Sequence, residues 1–440
     1  MPKGNKRNPL SKPQIRTRLS FHTIPLEIRE HIYNELLGIA PSTIFDLLLT
    51  NRQIASEAKP FLYRQPLIFD GQAEFVSWLR SVDRTCLRHV VEVHFKLHDI
   101  DPIKIVGALG KRLRQAAVSG ATKDEGENPY QEACDQEVER LGNCFRHLPN
   151  VSRFRILSYS STDARPPYDM LASFADMLAD TFPNLRSLTN YEELLPITFM
   201  SSFEKLRHLR FTGVCTSSRA EVVRTFRDLR ELAKVEIWRP DFNIENKHYQ
   251  IVSGICEAGR CDVGDIVGLL PRLQVLSFRE YALSARPSAA FNPIRKTVFD
   301  LLNALQKHPN LRTLEILTNI DLLSRVQERI ESFTSASRSL RQIESYYEDM
   351  PAFEDLPTTA ETLIMRLDPL SELTPSLLTE LLSGVGESRS KLPRLADIIL
   401  FIDSFPDSDR TRNIATWVRE KMARLGITLK LKLWDGPSRF

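Results

Sequence analysis

A phosphate-binding loop is the enzymatic motif that the sequence comes nearest to. The segment VGALGKRL contains Gly110 and Lys111, but Arg112 follows where such a loop needs Ser or Thr to hold Mg²⁺. Ile105 stands five residues before Gly110, at the position of the first loop glycine. The backbone cradle for phosphates is therefore incomplete, and we expect no nucleotide site here.

The other residue types that could perform chemistry are equally isolated. Cys256 and Cys261 have no second pair and no histidines at zinc spacing nearby. None of the nine histidines lies in a metalloprotease or nucleophile-elbow motif. The carboxylates Asp407 and Asp409 lie in a polar loop, where solvation explains them. We therefore predict a protein that is not an enzyme, with no catalytic residue, no metal site and no cofactor.

The composition predicts a chain with a large core and no dominant charge. The 440 residues are 42% hydrophobic and 26% charged, and the net charge of +3 gives no overall field that favours nucleic acid. No apolar run approaches the roughly 18 residues that a membrane span needs, and the N-terminus lacks a signal-peptide core. Six scattered cysteines indicate reduced thiols. We expect a cytoplasmic and/or nuclear protein without membrane contact.

Residues 1–19 form a basic tail that is predicted to be disordered. The tail contains three prolines and no acidic residue, so it has little to bury in a core. Its cations are Lys3, Lys6, Arg7, Lys12, Arg16 and Arg18. Such a tail could be a nuclear address or a nucleic-acid arm, but the wide spacing of the cations favours a solvated terminus.

Three short helices are predicted directly after the tail. In the first, Ile24, Ile28, Ile32 and Leu36 recur every four residues and form one apolar stripe. The segment IFDLLLTN predicts a second helix, and the spacing from Ile54 to Leu62 predicts a third that is interrupted by a proline at position 60. A unit of this size cannot be stable alone, so we expect it to pack on the chain that follows.

From residue 71 to residue 440 the chain repeats one short pattern. Nine segments carry an apolar residue, in several cases a Pro-Asn or Pro-Arg pair, and then L-x-x-L-x-[IF]; FEKLRHLRFT from Phe203 and HPNLRTLEIL from His308 are examples. Each copy predicts a turn followed by a short strand, with helical segments between copies. We therefore predict an α/β fold, a degenerate leucine-rich-repeat solenoid with parallel strands and outer helices. A doubly wound α/β enzyme is the alternative, but its Gly-rich loop is absent.

Three further segments have their own interpretation. Residues 119–137 are acidic and predict an exposed loop followed by the start of a helix. Residues 345–361, SYYEDMPAFEDLPTTAE, are interpreted as a mobile flap. Near the C-terminus the pattern predicts a helix that ends at Gly426 and a last strand that caps the repeat array.

The N-terminal helices resemble the F-box, in the form found in fungal F-box-like proteins. The match covers residues 20–70, with IPLEIREHIYNELL followed by DLLLTNRQIASEAKPFLYR. The resemblance implies docking on a Skp1-type adaptor in a cullin-RING (SCF-type) ubiquitin ligase. The residues that would bind the adaptor are Ile24, Pro25, Glu27, Ile28, Ile32, Leu36, Leu48 and Ile54. The alternative is that these helices only cap the solenoid of a non-catalytic scaffold or chromatin-associated protein.

A binding surface for an unidentified protein substrate is predicted on the strands. Residues that alternate with the buried ones face the other side of each strand, which is the concave side of a curved parallel solenoid. Aligned copies place Thr189, Ser277 and Ile399 in one row with several charged residues. The predicted substrate-binding residues are Arg155, Arg210, Glu236, Trp238, Arg279, Glu315 and Phe401. Alternatively, a neighbouring loop covers Trp238.

Overall fold

The computed structural model describes most, but not all, of the chain. The described residues are 21–39, 41–99, 129–157, 168–191, 195–211, 217–239, 269–280, 308, 310–317, 339–346, 353–367, 373–402 and 409–433. The basic tail, the segment VGALGKRL, Cys256, Cys261 and Asp407 lie outside them.

Twelve strands form one parallel sheet within the described residues, and they lie side by side in chain order. This arrangement confirms the α/β class with parallel strands and is consistent with a solenoid. The strands are β1 (Leu67–Phe69), β2 (Glu92–Phe95), β3 (Arg153–Ile156), β4 (Ser187–Asn190), β5 (His208–Phe211), β6 (Lys234–Arg239), β7 (Val275–Glu280), β8 (Thr313–Leu317), β9 (Gln342–Tyr346), β10 (Thr362–Arg366), β11 (Asp397–Ile402) and β12 (Thr428–Leu433).

Ten α-helices accompany these strands in the described part of the chain. They are α1 (Leu26–Ile39), α2 (Pro41–Thr50), α3 (Arg52–Arg64), α4 (Gln72–Ser81), α5 (Arg84–Leu87), α6 (Pro129–Phe145), α7 (Tyr168–Thr181), α8 (Arg219–Asp228), α9 (Pro375–Ser388) and α10 (Asp409–Arg424). Short 3₁₀ helices span Phe21–Thr23, Thr198–Ser202 and Phe353–Asp355. No helix of the described residues is long and apolar enough to cross a membrane.

The repeat pattern produces the strands because its apolar residues lie in register on neighbouring strands and are buried on the same face of the sheet. In β5, Leu209 and Phe211 are buried, and Leu209 pairs with Leu188 of β4 and Val235 of β6. The turns before the strands continue the backbone hydrogen bonds of the sheet. For example, the Arg207 N–H donates to the Arg186 carbonyl at 2.9 Å. All nine copies of the pattern lead into strands of this sheet.

An aromatic cluster fixes the first helices to the first strands. Phe145, at the end of α6, is fully buried, and its ring lies 4.4 Å from Phe75 of α4 and 5.3 Å from Phe95 of β2, between ring centroids. It also lies 5.7 Å from Phe154 of β3 and 5.8 Å from Phe182, just after α7. Buried aromatic pairs at these distances add to the burial of apolar area, so this cluster anchors the N-terminal half of the sheet.

The interpretation of residues 345–361 as a flap is wrong where the structure describes them. The segment begins in β9, and Leu356 and Ala360 are buried in the turn that leads into β10. This turn is a further copy of the repeat, with Ala360 in the place of the first leucine and Met365 in the place of the final Ile or Phe. Helix α3 likewise continues through Pro60 to Arg64.

The two ends of the repeat region differ in how well the sequence predicts them. At the C-terminal end, α10 is followed by Gly426 at φ 73° and by β12, which confirms the predicted helix stop and last strand. At the N-terminal end, β1 was not predicted, although it lies within residues 20–70 and pairs with β2. The helix predicted after the loop in residues 119–137 is confirmed as α6, which begins at Pro129.

Candidate docking surfaces

Helices α1, α2 and α3 form a helical module with a small core of its own. Tyr33 and Leu37 of α1 pack against Ile54, Ala58 and Phe61 of α3, and all five are buried. These residues belong to a cluster that is separate from the core of the sheet. The side of α1 that carries Tyr33 and Leu37 is therefore its inner side.

A polar network joins α1 to α3 beside this core. The Arg29 guanidinium donates to both carboxylate oxygens of Glu57, with Nε to Oε2 at 2.8 Å and a second nitrogen to Oε1 at 2.7 Å. The Tyr33 hydroxyl donates to Glu57 Oε2 at 3.0 Å, and the Gln53 amide donates to Oε1 at 2.9 Å. Arg29 also donates to the Ile24 carbonyl, so one guanidinium links the start of α1 to α3.

The network shifts two pKa values in opposite directions. Hydrogen bonding from Arg29 is the main cause that lowers the pKa of Glu57 from 4.5 to about 2, while burial acts against it. Burial, followed by the hydrogen bond to Glu57, raises the pKa of Tyr33 from 10.0 to about 12. At neutral pH the carboxylate is therefore ionised and the tyrosine hydroxyl is a donor.

The stabilising effect of Glu57 should depend on pH. Because its folded pKa lies below its ordinary value, its contribution is present above about pH 4.5 and is lost as the pH falls toward 2. We expect Glu57→Gln to lower the melting temperature of the full chain, measured by circular dichroism, by more at pH 7 than at pH 3. Glu30→Gln, on the exposed side of α1, should leave the melting temperature unchanged at pH 7. An equal loss for Glu57→Gln at both pH values would contradict the ionised network.

Helix α1 carries apolar residues that the core of the module does not use. Ile28 is 52% exposed and Leu26 is 43% exposed, while Ile32 and Leu36 are half-buried. Ile28, Ile32 and Leu36 are spaced by four residues and follow one line along the helix. Leu49, at the end of α2, is more exposed still. We call Ile28, Ile32 and Leu36 the outer stripe; Leu26 lies two residues before Ile28 and therefore on another side of the helix. An apolar stripe of this kind is suited to docking a partner helix or groove.

The structure separates the predicted adaptor-binding residues into two groups. Pro25 and Glu27 are exposed, and Ile24 and Leu48 are half-buried. Ile54 needs correction, because it is 7% exposed and packs inside the module, where it is not available to a partner. The sequence did not point to Leu26 or Leu49, whose positions show no periodic signal. Their exposure is visible only once the inner side of the helices is known.

The module contacts the sheet through α3 and not through the outer stripe. The Tyr63 ring of α3 lies 6.4 Å from that of Trp78 in α4, and Trp78 lies 5.2 Å from Phe69 of β1. Tyr63 and Trp78 both pack against the core of the sheet. The exposure of Ile28 therefore argues against a role of the stripe in capping the first strands.

Four of the seven predicted substrate-binding residues, Arg155, Arg210, Glu236 and Glu315, lie in one row across the sheet, and Trp238, Arg279 and Phe401 lie two positions further along their strands. Register pairing aligns each strand's third residue from β2 to β9, and we call this row the polar strand face. It consists of His94, Arg155, Thr189, Arg210, Glu236, Ser277, Glu315 and Glu344. Ile399 lies in the same register through Ile364 of β10. The alignment is confirmed, whereas the binding role of the row stays a prediction.

Several members of the polar strand face are buried and paired with neighbours. Glu236 accepts from His208 at 2.9 Å and lies 2.6 Å from the Lys234 ammonium and 3.5 Å from Arg210. Burial alone would raise the pKa of Glu236, but the hydrogen bonds from His208 and Lys234 lower it. Glu236 is thus an internal counter-ion for side chains of β5 and β6, and its carboxylate mostly binds groups within the protein.

A second charge cluster lies on β8, β9 and β10. Arg366 donates to Glu344 with Nε at 2.7 Å and lies 3.8 Å from Glu315. Its guanidinium lies 5.1 Å from the ring centroid of Phe401, which is on β11. The ammonium of Lys432, on β12, lies 5.9 Å from the same centroid. Glu315 is buried, while Phe401 is half-buried. Neither Arg366 nor Glu344 was predicted, because their pairing joins separate repeats.

A third arrangement surrounds Tyr191, which follows β4. Arg155 donates to the Tyr191 hydroxyl at 2.8 Å, and the guanidinium carbons of Arg155 and Arg210 lie 5.1 and 5.3 Å from the ring centroid. Trp238 and Arg279 pair directly across β6 and β7, as predicted from the alignment. Only the backbones of these two residues are described. Among the described residues, no group of three or more His, Cys, Asp or Glu side chains could hold a metal ion.

Comparison with known proteins does not identify a family for this chain. No protein-family model matches the chain, and no curated protein matches it. A solved structure that matches is the crystal structure of a Rad7 and Elc1 complex in yeast, with 14% sequence identity and a TM-score of 0.28. The match covers 74% of this chain and 96% of that one. At this TM-score the likeness bears on neither fold nor function.

Proposed function

We propose that the chain is a non-catalytic substrate-recognition subunit of a cullin-RING (SCF-type) ubiquitin ligase. In this proposal α1, α2 and α3 are an F-box-like module that docks a Skp1-type adaptor. The sheet with its helices is a degenerate leucine-rich-repeat solenoid that holds a protein substrate. The observation that carries the proposal is the outer stripe of α1, with Ile28 at 52% exposure in a module whose inner core is complete without it.

The packing of the module supports docking over simple capping. If the helices only capped the solenoid, the apolar residues of α1 would be expected to lie against the first strands. Instead Tyr63 of α3 and Trp78 of α4 provide that contact, and Leu26 and Ile28 stay exposed. The Arg29–Glu57 pair holds α1 in a fixed orientation on α3, so the stripe is presented on a rigid helix.

Substrate capture is assigned to the strand side of the solenoid. Parallel strands present their non-core residues as a continuous surface on which residues from many repeats can contact one partner. Arg155, Arg210, Trp238, Arg279 and Phe401 are the proposed contacts. Glu236 and Glu315 take part by holding the neighbouring cations in place, since both are buried.

The test is affinity purification of the full chain and of a chain that lacks residues 20–65. We expect the full chain to retain a Skp1-type adaptor with its cullin, and the shortened chain to lose both. Retention by neither chain would instead favour the alternative, a scaffold or chromatin-associated protein whose helices serve only the fold.

A further inference from the structure

The edge of the sheet at which β3, β4, β5 and β6 begin carries a patch of exposed cations. Each of four successive strands contributes one at its first residue or at the residue before it, and all four side chains extend into solvent at least in part. These residues, the basic patch, are Arg153 of β3, Arg186 before β4, Arg207 before β5 and Lys234 of β6. Adjacent strands lie about 4.8 Å apart, so the patch spans about 14 Å.

The surroundings of the basic patch leave it net positive. The turns and strands 150–156, 184–190, 205–211 and 231–237 contain seven Lys or Arg and two acidic residues, Glu231 and Glu236. Glu236 pairs with Lys234, and Glu231 lies 4.0 Å from Arg207. Glu92 of β2 accepts a hydrogen bond from Arg153. These carboxylates hold the cations in position but are outnumbered by them.

The helices before β3 and β4 have the opposite charge, whereas α8, before β6, contains three arginines and two acidic residues. Helices α6 and α7 contain one arginine and seven acidic residues. The acidic residues are Glu132, Asp135, Glu137, Glu139, Asp169, Asp176 and Asp180. The small net charge of the chain therefore hides a separation of charge between these two helices and the edge at which the strands begin, which directs a negatively charged partner to that edge.

We propose that the basic patch binds an acidic segment of a partner protein. A span of about 14 Å fits about four or five residues of an extended peptide. Nucleic acid fits less well, because the row of cations is interrupted at β7, where Gln274 and Val275 stand at these positions, and because carboxylates lie beside three of the four cations. The inference rests on the proposed role of the solenoid as a capture surface, and it specifies an acidic substrate.

The test uses the full chain without adaptor and a fluorescein-labelled nonapeptide in which five glutamates alternate with serine. Fluorescence anisotropy at low salt should show binding that weakens with added salt, and the glutamine version of the peptide should not bind. Arg186→Gln with Arg207→Gln should weaken binding by roughly fivefold, since two exposed ion pairs are lost.

The matched control is Arg312→Gln with Arg341→Gln. Arg312 and Arg341 occupy the same position before β8 and β9, are also exposed, and give the same change in charge. Under the proposal this control binds the peptide as the natural chain does. The proposal is overturned if the glutamate peptide does not bind, or if both pairs of substitutions weaken binding equally. It is also overturned if an oligothymidylate of equal charge binds more tightly, or if light scattering shows a dimer that Arg186→Gln with Arg207→Gln dissociates.

Because the adaptor is absent from this test, its result is independent of the adaptor contact. Failure of the proposed ligase role would appear as lost adaptor binding with peptide binding intact. Failure of the present inference would leave adaptor binding unchanged.

Discussion

Replacing Ile28 and Ile32 with Asp is expected to abolish binding of a Skp1-type adaptor. Both residues lie on the outer stripe, and an adaptor that covers the stripe would bury two unpaired carboxylates. The cost should reduce affinity by about 100-fold or more, which corresponds to roughly 3 kcal/mol. Ile28 is the third residue of α1, where a negative charge favours the helix, so folding should be preserved.

The matched control is Ile68→Asp on β1. Ile68 is 56% exposed, close to the value for Ile28, but it lies on the sheet and not on the module. We expect this variant to bind the adaptor normally. A single Ile28→Asp variant should still lose at least about tenfold in affinity, and it avoids the half-buried Ile32. If the folded double variant keeps full affinity in a pull-down assay, the outer stripe is not the docking surface.

The largest effect on stability is expected for Phe145→Ala. Its ring is fully buried and touches rings from α4, β2 and β3, so truncation leaves a cavity at the junction of helices and strands. We expect the free energy of unfolding of the N-terminal half to fall by about 3–5 kcal/mol in urea denaturation. Arg153 of the basic patch lies on β3, next to Phe154 of this cluster, so peptide binding should also weaken.

Phe145→Leu serves as the control for this prediction. It keeps most of the buried volume and should cost about 1 kcal/mol. A cost for Phe145→Ala as small as that for Phe145→Leu would mean that the aromatic cluster does not carry the packing described above.

The strands could be predicted because the repeat requires apolar residues at fixed spacing. Where an unusual residue meets that requirement, the prediction is wrong: Ala360 replaces a leucine before β10, and the interpretation as a flap misses this strand. The strand β1 has only three residues and no leucine turn before it. A spacing rule therefore finds the regular repeats and misses the short or substituted ones.

The orientation of α1 could not be read from its sequence. Residues four apart form two neighbouring stripes, one through Ile28 and Ile32 and the other through Arg29, Tyr33 and Leu37. The pair of Arg29 with Glu57, which are 28 residues apart in sequence, decides which stripe faces inward. Arg29, Tyr33 and Glu57 are also part of the pattern on which the F-box resemblance rests. Part of that resemblance thus reflects how the module folds and not what it binds.

The charge pairs of the polar strand face could not be predicted from the sequence either, because they too join residues that are far apart in the chain. Register placed Arg210, Glu236 and Glu315 in one row correctly. It could not show that Arg366 reaches Glu344 of the neighbouring strand, or that Tyr191 lies beside Arg155. Such pairs depend on the side-chain directions of residues in different repeats, which no spacing within one repeat encodes.

The most direct measurement is a calorimetric titration of a purified Skp1-type adaptor into the full chain at several temperatures. We predict saturable binding of one adaptor per chain, with a negative heat-capacity change because the apolar outer stripe is buried. The Ile28→Asp chain should give little heat, and the Ile68→Asp chain should match the natural one. An absence of saturable binding at adaptor concentrations of about 100 μM, which limits the binding free energy to less than roughly 5.5 kcal/mol, would contradict docking and leave α1 to α3 as part of the fold alone.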